Sequence, residues 1–304
     1  MVEFAGYEMP LQYTGIIAEH QACRESAALF DVSHMGQAEI ADAKAFEALV
    51  TGDVIGLKPG RQRYTLLMNE TGGITDDLMV ANLGGRLQLV LNAGRKQVDV
   101  AHMQAHGVRV TPKFDRALLA LQGPKAAEML QEAAHLKFMD ATPLEIAGTP
   151  CIVTRSGYTG EDGCEIGCAA DEAEALTRLL LGRGAVPAGL GARDSLRLEA
   201  GLCLYGNDID ETTNPIAANL IWAIAKRRRT DWDFLGAPAV REALDNGPAL
   251  KLVGIKVLDR VPARAGDGQY LKVKMRSDVL TKFWGQPVSN IVQEAIADLN
   301  AGKL

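Results

Sequence analysis

Short apolar segments with the length of β-strands alternate with helical segments along most of this chain. The segment 87–91 carries leucine at every second position before Asn92, which is the pattern of a half-buried strand ending at a polar side chain. The apolar run 117–121 stops at a Gln-Gly-Pro turn and precedes a segment of helical composition, 125–134. This alternation predicts a mixed α+β protein. Its 304 residues exceed the size at which a single core stops growing, so we expect more than one packed unit.

Two further helix starts are predicted from capping patterns. Asp171 stands three residues before Glu174, as in a capping box, and begins an apolar stripe that ends near residue 182. Asn214 is followed by proline, the order typical of an N-cap and the first helical position. The basic run 226–229 would lie near the end of that second helix, and we interpret it as a solvated helix end in preference to an anion site.

Charge and cysteine content exclude several classes of protein. The net charge of -6 and the isoelectric point near 5.5 make nucleic acid a poor default partner. No window approaches the roughly 18 apolar residues that a membrane span needs, and the N-terminus lacks a signal sequence, so we expect a cytoplasmic protein. The five cysteines include no C-x-x-C pair, and the histidines show no metal-ligand spacing. We therefore predict reduced thiols and no metal.

Adjacent acids stand between a glycine turn and an apolar strand in the segment 72–80. Side chains that follow one another in a strand point to opposite faces, so at most one of Asp76 and Asp77 can face a given pocket. Spacing alone favours Asp76 as a turn cap and Asp77 as a solvated acid over a catalytic role.

The segment 157–166 carries three glycines at three-residue spacing, which lets backbone approach a flat ligand closely. It lacks the Lys-Ser/Thr ending of a phosphate loop, and its acids would repel phosphate. A carboxylate such as Glu165 can accept parallel hydrogen bonds from an aminopyrimidine edge, and Tyr158 could contact the same ring. A hairpin whose acids serve only solubility is an equally good interpretation of these residues.

Arg193 and Arg197 would share one face of a short helix at i, i+4 spacing. Because they cannot pair with each other, each needs an acid or a ligand. We expect a structural ion pair for Arg197, and a ligand contact for Arg193, which follows a glycine-rich turn. His34 could serve as a general base, but its apolar neighbours favour a structural histidine.

Taken together, these segments resemble the T-protein (aminomethyltransferase) family of the glycine cleavage system. The resemblance extends from residue 1 to about residue 265 and is carried, in order, by residues 1–6, 9–10, 29–35, 72–78, 92–93, 121–124, 157–166, 191–210 and 233–236. It implies tetrahydrofolate as co-substrate at the centre of a three-domain cloverleaf. It also implies a lipoylated carrier, the H-protein, as partner, with the methylene of its aminomethyl group moved to folate and ammonia released.

The resemblance also implies roles for single residues. Asp77 corresponds to the acid beside the reacting folate nitrogens, where a fixed carboxylate would orient the nucleophile and stabilise positive charge. Glu165 corresponds to the pterin anchor and Arg193 to the matching arginine. Supporting contacts are implied for Tyr64, Asn92, Tyr158 and Trp222.

The resemblance divides the chain into three parts. It implies a folate-binding domain of two intertwined subdomains at 1–225, with a ferredoxin-like or mixed-sheet core, and a linker with the start of a C-terminal β-barrel at 226–268. Residues 269–304 depart from the family's barrel strands and read as an unrelated tail, so the barrel is expected to be incomplete. That departure motivates two alternatives: a folate-binding protein without transferase activity, and a folate-dependent demethylase of a methylated amine or sulfur compound.

Overall fold

The computed structural model describes residues 1–253. In chain order its strands are β1 (Val2–Phe4), β2 (Tyr7–Met9), β3 (Ala28–Asp31), β4 (Gly36–Ile40), β5 (Arg61–Met68), β6 (Ile74–Asn82), β7 (Leu87–Leu91), β8 (Val110–Pro112), β9 (Arg116–Gln122), β10 (Ala141–Ile146), β11 (Thr149–Thr154), β12 (Gly163–Ala169) and β13 (Val186–Pro187). Its α-helices are α1 (Ile16–Glu25), α2 (Ala43–Glu47), α3 (Lys96–Ala105), α4 (Ala126–Met129), α5 (Ala173–Gly182), α6 (Leu190–Glu199), α7 (Arg228–Asp231) and α8 (Ala237–Asn246). Short 3-10 turns cover Gln131–Ala133, Ala170–Glu172 and Ile221–Ala223.

One antiparallel sheet has the strand order β5-β6-β7-β4-β8. Its first face is apolar because Leu78 and Val80 of β6 and the alternating leucines of β7 point the same way, and they pack against Phe46 of α2 and Met103 of α3. The opposite face carries Val90, which packs against a separate cluster. The two faces of this sheet are therefore both covered.

A second, mixed sheet has the order β10-β11-β12-β9-β3-β13, in which only the β13–β3 pair among the described strands is parallel. One face packs against Leu176 and Leu180 of α5. The other face, with Phe30 and Ala120, packs against α1 and α6, and Val90 of the first sheet joins the same cluster. The second face of each sheet is thus turned toward the same interior region.

These strands confirm the predictions for 87–91 and 117–121, and α5 ends at Gly182 as expected. The capping prediction for Asp171 is wrong, because that residue lies in a 3-10 turn and Glu172 precedes α5 without a side-chain cap. The segment 125–134 is only partly helical, since α4 ends at Met129.

The helix predicted to begin at Asn214 does not form. The Asn214 side chain accepts a hydrogen bond from the Ile216 amide at 2.9 Å, which closes a turn. Asn219 adopts a left-handed conformation with φ 58°. A left-handed residue interrupts helical hydrogen bonding, so the chain continues through turns.

The interpretation of 226–229 as a solvated helix end is wrong for Arg228. Its side chain is 1% exposed, its guanidinium pairs with Asp233, and it donates to the carbonyl of Glu47 at 2.6 Å. Arg227 pairs with Glu47 and Asp53. The two arginines therefore fasten this segment to the end of α2.

Residues Met1–Lys251 form one compact unit of the chain. The described part is a mixed α+β structure with several sheets, as predicted. The boundaries at 225/226 and 268/269 remain predictions, and the incomplete barrel and the tail lie outside the described residues.

Candidate functional site

Strand β6 sends its two adjacent acids to opposite faces of the first sheet. Asp76 shares with Leu78 and Val80 the first face of this sheet, which α2 and α3 cover, and is 0% exposed. Asp77 pairs with Leu66 of β5 and points to the other face, which also carries Tyr64. Asp76 is buried and caps no turn, and Asp77 is half-buried with both carboxyl oxygens hydrogen bonded, so the interpretation that spacing alone favoured is wrong.

Asn92 connects these two acids where β7 ends. Its side-chain amide donates to Asp76 Oδ1 at 2.9 Å and to Asp77 Oδ1 at 2.8 Å, and it also lies 3.0 Å from the Asp77 carbonyl. Its backbone N–H donates to Asp76 Oδ2 at 3.1 Å. The strand end thereby fixes both carboxyl groups at once.

Two aromatic rings enclose Asp77 on the other side. The Tyr64 hydroxyl donates to Asp77 Oδ2 at 3.0 Å. The Tyr64 ring stacks on Trp222, with centroids 5.0 Å apart and planes at 24°, and the Trp222 side chain is half exposed. Stacked rings next to a carboxylate suit a flat ligand that carries N–H groups.

Burial, followed by the charge of Asp76, raises the pKa of Asp77 to about 7. The hydrogen bonds from Tyr64 and Asn92 act in the opposite direction, because they favour the carboxylate. Asp77 can therefore exchange a proton near neutral pH, which is the property of a group that works in acid–base or electrostatic chemistry.

Glu165 lies on β12 in the second sheet, paired with Ala120 of β9. Cys164 and Ile166 point to the α5 side of the sheet, so Glu165 points to the side covered by α6. Ser156 donates to Glu165 Oε2 at 2.9 Å. The segment 157–166 does form a hairpin connection between β11 and β12, with its glutamate turned inward.

The loop of that hairpin is held by the buried amide of Gln122. Its Nε2 donates to the Ser156 carbonyl at 2.9 Å, and its Oε1 accepts from the Thr159 hydroxyl at 2.9 Å. Tyr158 extends from the same loop and donates to the Cys203 carbonyl at 2.5 Å. These bonds fix the position of the Tyr158 ring.

Arg193 projects from α6 over the Tyr158 ring, with its guanidinium carbon 4.6 Å from the centroid. Burial lowers its pKa, while the charges of Tyr158 and Glu165 act to raise it. Among the residues described, no carboxylate lies within ion-pair distance of Arg193. Arg197 instead pairs with Asp194 at 2.8 Å and Asp208 at 2.5 Å, which confirms its structural ion pairs.

The two groups of side chains meet in one region. The charge of Asp77 contributes to raising the pKa of Tyr158, whose main cause is burial, and Tyr158 acts in the same way on Tyr64. The seven residues expected from the resemblance thus form two neighbouring groups, one of Tyr64, Asp77, Asn92 and Trp222 and one of Tyr158, Glu165 and Arg193.

Two neighbouring residues have features that the sequence pattern did not reveal. His34 is buried against Phe4 and Tyr7, as expected for a structural histidine, and burial followed by the Arg193 charge lowers its pKa to about 4. Asp99 of α3 is 0% exposed beside Asp76 and was not predicted to belong to the site. Asp99 stands directly before Val100 and four residues before Met103, the buried apolar residues of α3. That position was no signal, because the sequence did not show what lies opposite.

Within residues 1–253, no group of three or more His, Cys, Asp or Glu side chains is arranged to hold a metal ion. All five cysteines are free thiols, as predicted. None of the helices in this part of the chain has the length and apolar character that crossing a membrane requires.

Fold and site together define a two-sheet protein that brings near one another two carboxylates, an arginine without a carboxylate partner among residues 1–253, and a pair of stacked aromatic rings. A family model described as the GCVT N-terminal domain matches residues 1–228. The chain therefore belongs to the T-protein (aminomethyltransferase) family of the glycine cleavage system.

Its relatives agree with this assignment. The chain is 42% identical over 295 residues to a mitochondrial aminomethyltransferase of Dictyostelium discoideum, covering 88% of this chain and 73% of that protein. It is 42% identical over 282 residues to an aminomethyltransferase of Rubrobacter xylanophilus, covering 88% and 74%. The crystal structure of glycine cleavage system aminomethyltransferase T from Bartonella henselae matches with a TM-score of 0.76 and 43% identity, covering 82% and 72%.

Proposed function

We propose that this chain is a tetrahydrofolate-dependent aminomethyltransferase of glycine cleavage. It takes the methylene from the aminomethyl-lipoyl group of a carrier protein and gives methylenetetrahydrofolate and ammonia. The lipoylated H-protein is the proposed partner. The observation that carries the proposal is that Asp77 and Arg193 both act on Tyr158 and Glu165 acts on Arg193, so that the three charged groups lie near one another in a chain that belongs to this family.

The residues of the pocket fit a folate. Glu165 has a carboxylate that can accept from the aminopyrimidine edge of a pterin, and Ser156 holds it in place at 2.9 Å. The Arg193 guanidinium lies against an aromatic ring without a described carboxylate partner, so it can donate to an oxygen of the ligand. Tyr64 and Trp222 supply flat apolar surface. We propose that Glu165, Arg193, Tyr158, Asn92, Tyr64 and Trp222 bind the co-substrate.

Tetrahydrofolate supplies the nitrogen nucleophiles that accept the one-carbon unit. Asp77 is the proposed catalytic residue, because its carboxylate lies in a low-dielectric pocket where a fixed charge stabilises developing positive charge strongly. Its two oxygens are held by Asn92 at 2.8 Å and Tyr64 at 3.0 Å, so little reorganisation is needed when charge develops. Positioning supplies the remainder of the rate, and no covalent nucleophile is required.

The test is a transfer assay with purified chain, tetrahydrofolate and an aminomethyl-lipoylated H-protein, in which ammonia and methylenetetrahydrofolate are measured. We expect both products from the wild type and a loss of roughly a hundredfold or more in turnover for Asp77→Asn. Asp115→Asn, an exposed acid outside the pocket, is the matched control. Unchanged turnover in Asp77→Asn would remove the catalytic assignment.

The same assay separates the two alternatives. Folate binding without ammonia release would identify a binding protein, and transfer only from methylated amines or sulfur compounds would identify a demethylase. No contact in the described residues favours either. The proposed cytoplasmic location also stays a prediction, because the relatives named above include both a mitochondrial and a bacterial protein.

A further inference from the structure

A pair of buried carboxyl groups lies behind Asp77. Asp99 stands in the first turn of α3 and Asp76 in the middle of β6, and both side chains are 0% exposed. The helix covers the sheet face to which Asp76 points, and the two carboxyl groups are close enough for each to shift the pKa of the other.

A hydrogen bond between two carboxyl groups requires a proton, since a carboxylate can only accept. Asp76 accepts two hydrogen bonds from Asn92, so its charged form is the better satisfied of the two. Within residues 1–253, neither oxygen of Asp99 receives a hydrogen bond from an N–H or hydroxyl donor. The proton therefore belongs on Asp99, which donates it toward Asp76.

The charges around Asp99 agree with this placement. Burial raises the pKa of Asp99, and together with the interaction with Asp76 and a smaller contribution from the charge of Asp77 it brings that pKa to about 10. The nearby cation is Arg95, which acts in the opposite direction but is paired with Glu211 and donates to the Thr75 carbonyl at 3.1 Å.

The other titratable group facing the pair is Tyr205, from the segment that follows α6. Burial raises its pKa, Arg95 lowers it, and the charges of Asp76 and Asp99 are among the causes that raise it. Tyr205 donates its hydroxyl to the Ile74 carbonyl at 2.9 Å. It is therefore a neutral neighbour of the pair and does not supply the missing charge.

We propose that Asp99 is a positioning residue of this enzyme: it stays protonated, donates to Asp76, and keeps Asp76 as the anion that orients Asn92 and thereby the Asp77 carboxyl group. One negative charge is then held beside Asp77 at neutral pH. The role of Asp99 in transfer rests on the proposed function. The protonation of Asp99 can be tested whether or not the chain catalyses transfer.

The experiment is ¹³C NMR of the full chain labelled at aspartate Cγ, titrated from pH 5 to 9, for the wild type, Asp99→Asn and Asp99→Leu. Asparagine keeps a neutral donor toward Asp76, so Asp76 stays charged. Leucine removes the donor, so Asp76 takes a proton itself. Asp77→Asn identifies the Asp77 resonance, and Gln104→Leu, on the exposed side of α3, controls for the added leucine.

In the wild type we expect one aspartate resonance to keep the shift of a protonated carboxyl group at pH 8, and to be absent from Asp99→Asn. The Asp77 midpoint should be the same in the wild type and Asp99→Asn. It should fall by about one pH unit in Asp99→Leu, because the neighbouring charge is lost. The proposal is overturned if every wild-type aspartate is ionised at pH 8, or if the Asp77 midpoint is equal in all three proteins.

A kinetic measurement then tests the link to transfer. The acidic limb of kcat/KM against pH should move in Asp99→Leu by the same amount as the Asp77 midpoint, and should return to the wild-type position in Asp99→Asn. A chain that shows the NMR behaviour but no transfer would contradict the proposed function and leave the proton on Asp99 established. NMR shifts without any movement of the kinetic limb would overturn the positioning role.

Discussion

At the scale of single residues, the arrangement of Asp77 is unfavourable for stability. It lies in a low-dielectric pocket beside a second acid, and burial is the main reason that its pKa rises to about 7 from an ordinary value of 3.8. Asn92 and Tyr64 offset only part of this cost. A carboxyl group whose pKa is raised in this way, beside stacked aromatic rings, is typical of a functional site.

The pH dependence of transfer should report this carboxyl group. Because the carboxylate is the proposed active form, kcat/KM should rise with pH and level off above a midpoint near 7. Asp77→Asn should lack this limb and show only low residual activity. Steady-state kinetics from pH 5.5 to 9 provide the measurement, and an identical limb in Asp77→Asn would assign it to another group.

The free energy of unfolding should depend on pH in the opposite direction and fall as pH rises. The native state keeps the Asp77 proton up to about pH 7, whereas the unfolded chain releases it near 3.8, so the native state binds more protons between these values. The stabilising contribution of the group is complete below the unfolded value and is lost as pH rises through 7.

At pH 8, the free energy of unfolding of Asp77→Asn should therefore be higher than that of the wild type by about 1–3 kcal/mol. At pH 5 the difference between the two proteins should be smaller. Urea unfolding at both pH values measures this difference. An equal effect at both values would show that the charge is not its cause.

At the scale of elements, the site depends on how segments without regular structure are attached. The hairpin loop 155–162 is attached through Gln122, and the segment after residue 225 through Arg228. In both cases one buried polar side chain satisfies several backbone groups of a segment that has few hydrogen bonds of its own, so its loss affects the whole segment.

Gly157→Ala should disturb the first attachment. The added Cβ would collide with the side-chain amide of Gln122, which cannot move without giving up its bonds to Ser156 and Thr159. We expect a loss of about 1–3 kcal/mol in stability together with weaker tetrahydrofolate binding. Gly182→Ala, where a Cβ meets open space, is the control. Thermal unfolding and calorimetric titration measure the two effects, and equal behaviour of the two variants would contradict the argument.

Arg228→Met should disturb the second attachment. Methionine keeps the apolar stem but leaves the carbonyls of Glu47 and Val50 without their donor. We expect a loss of about 3 kcal/mol or more in the free energy of unfolding. Arg229→Met changes the exposed neighbour and should stay within about 0.5 kcal/mol of the wild type. A small effect in both variants, measured by urea unfolding, would show that the burial of Arg228 contributes little.

At the scale of the whole molecule, the proposed site combines two carboxylates that are far apart in the sequence and lie on different sheets. Asp77 belongs to the five-stranded sheet and Glu165 to the six-stranded sheet, and the cluster that contains Val90, Phe30 and Ala120 joins their inner faces. A ligand that contacts both carboxylates therefore stabilises the packing of one sheet against the other.

Tetrahydrofolate should accordingly raise the unfolding temperature of the chain. At a concentration about 100 times the dissociation constant, the free energy of unfolding should rise by about 2.7 kcal/mol. Glu165→Ala should lose most of this ligand-dependent shift, whereas Glu145→Ala, an exposed acid on β10, should keep it. A thermal scan with and without ligand is sufficient, and equal shifts in the two variants would remove Glu165 from the binding site.

The sequence alone determined the local features of this protein. Alternating leucines placed β7, an apolar run placed β9, and the two-residue period of a strand required Asp76 and Asp77 to face opposite ways. The ordered resemblance named the seven side chains of the proposed site, and their roles stay predictions. These properties follow from short-range geometry and from the order of motifs, both of which are written in the chain.

Only the tertiary structure decided what each polar side chain meets. Asp76, which local sequence predicted to cap a turn, is a buried neighbour of Asp99. Arg228, which was predicted to be solvated, is buried and connects its segment to α2. Asn214, which was predicted to begin a helix, instead closes a turn. Burial and long-range pairing set the electrostatics of a site, and they arise when elements distant in sequence pack together, which no local pattern encodes.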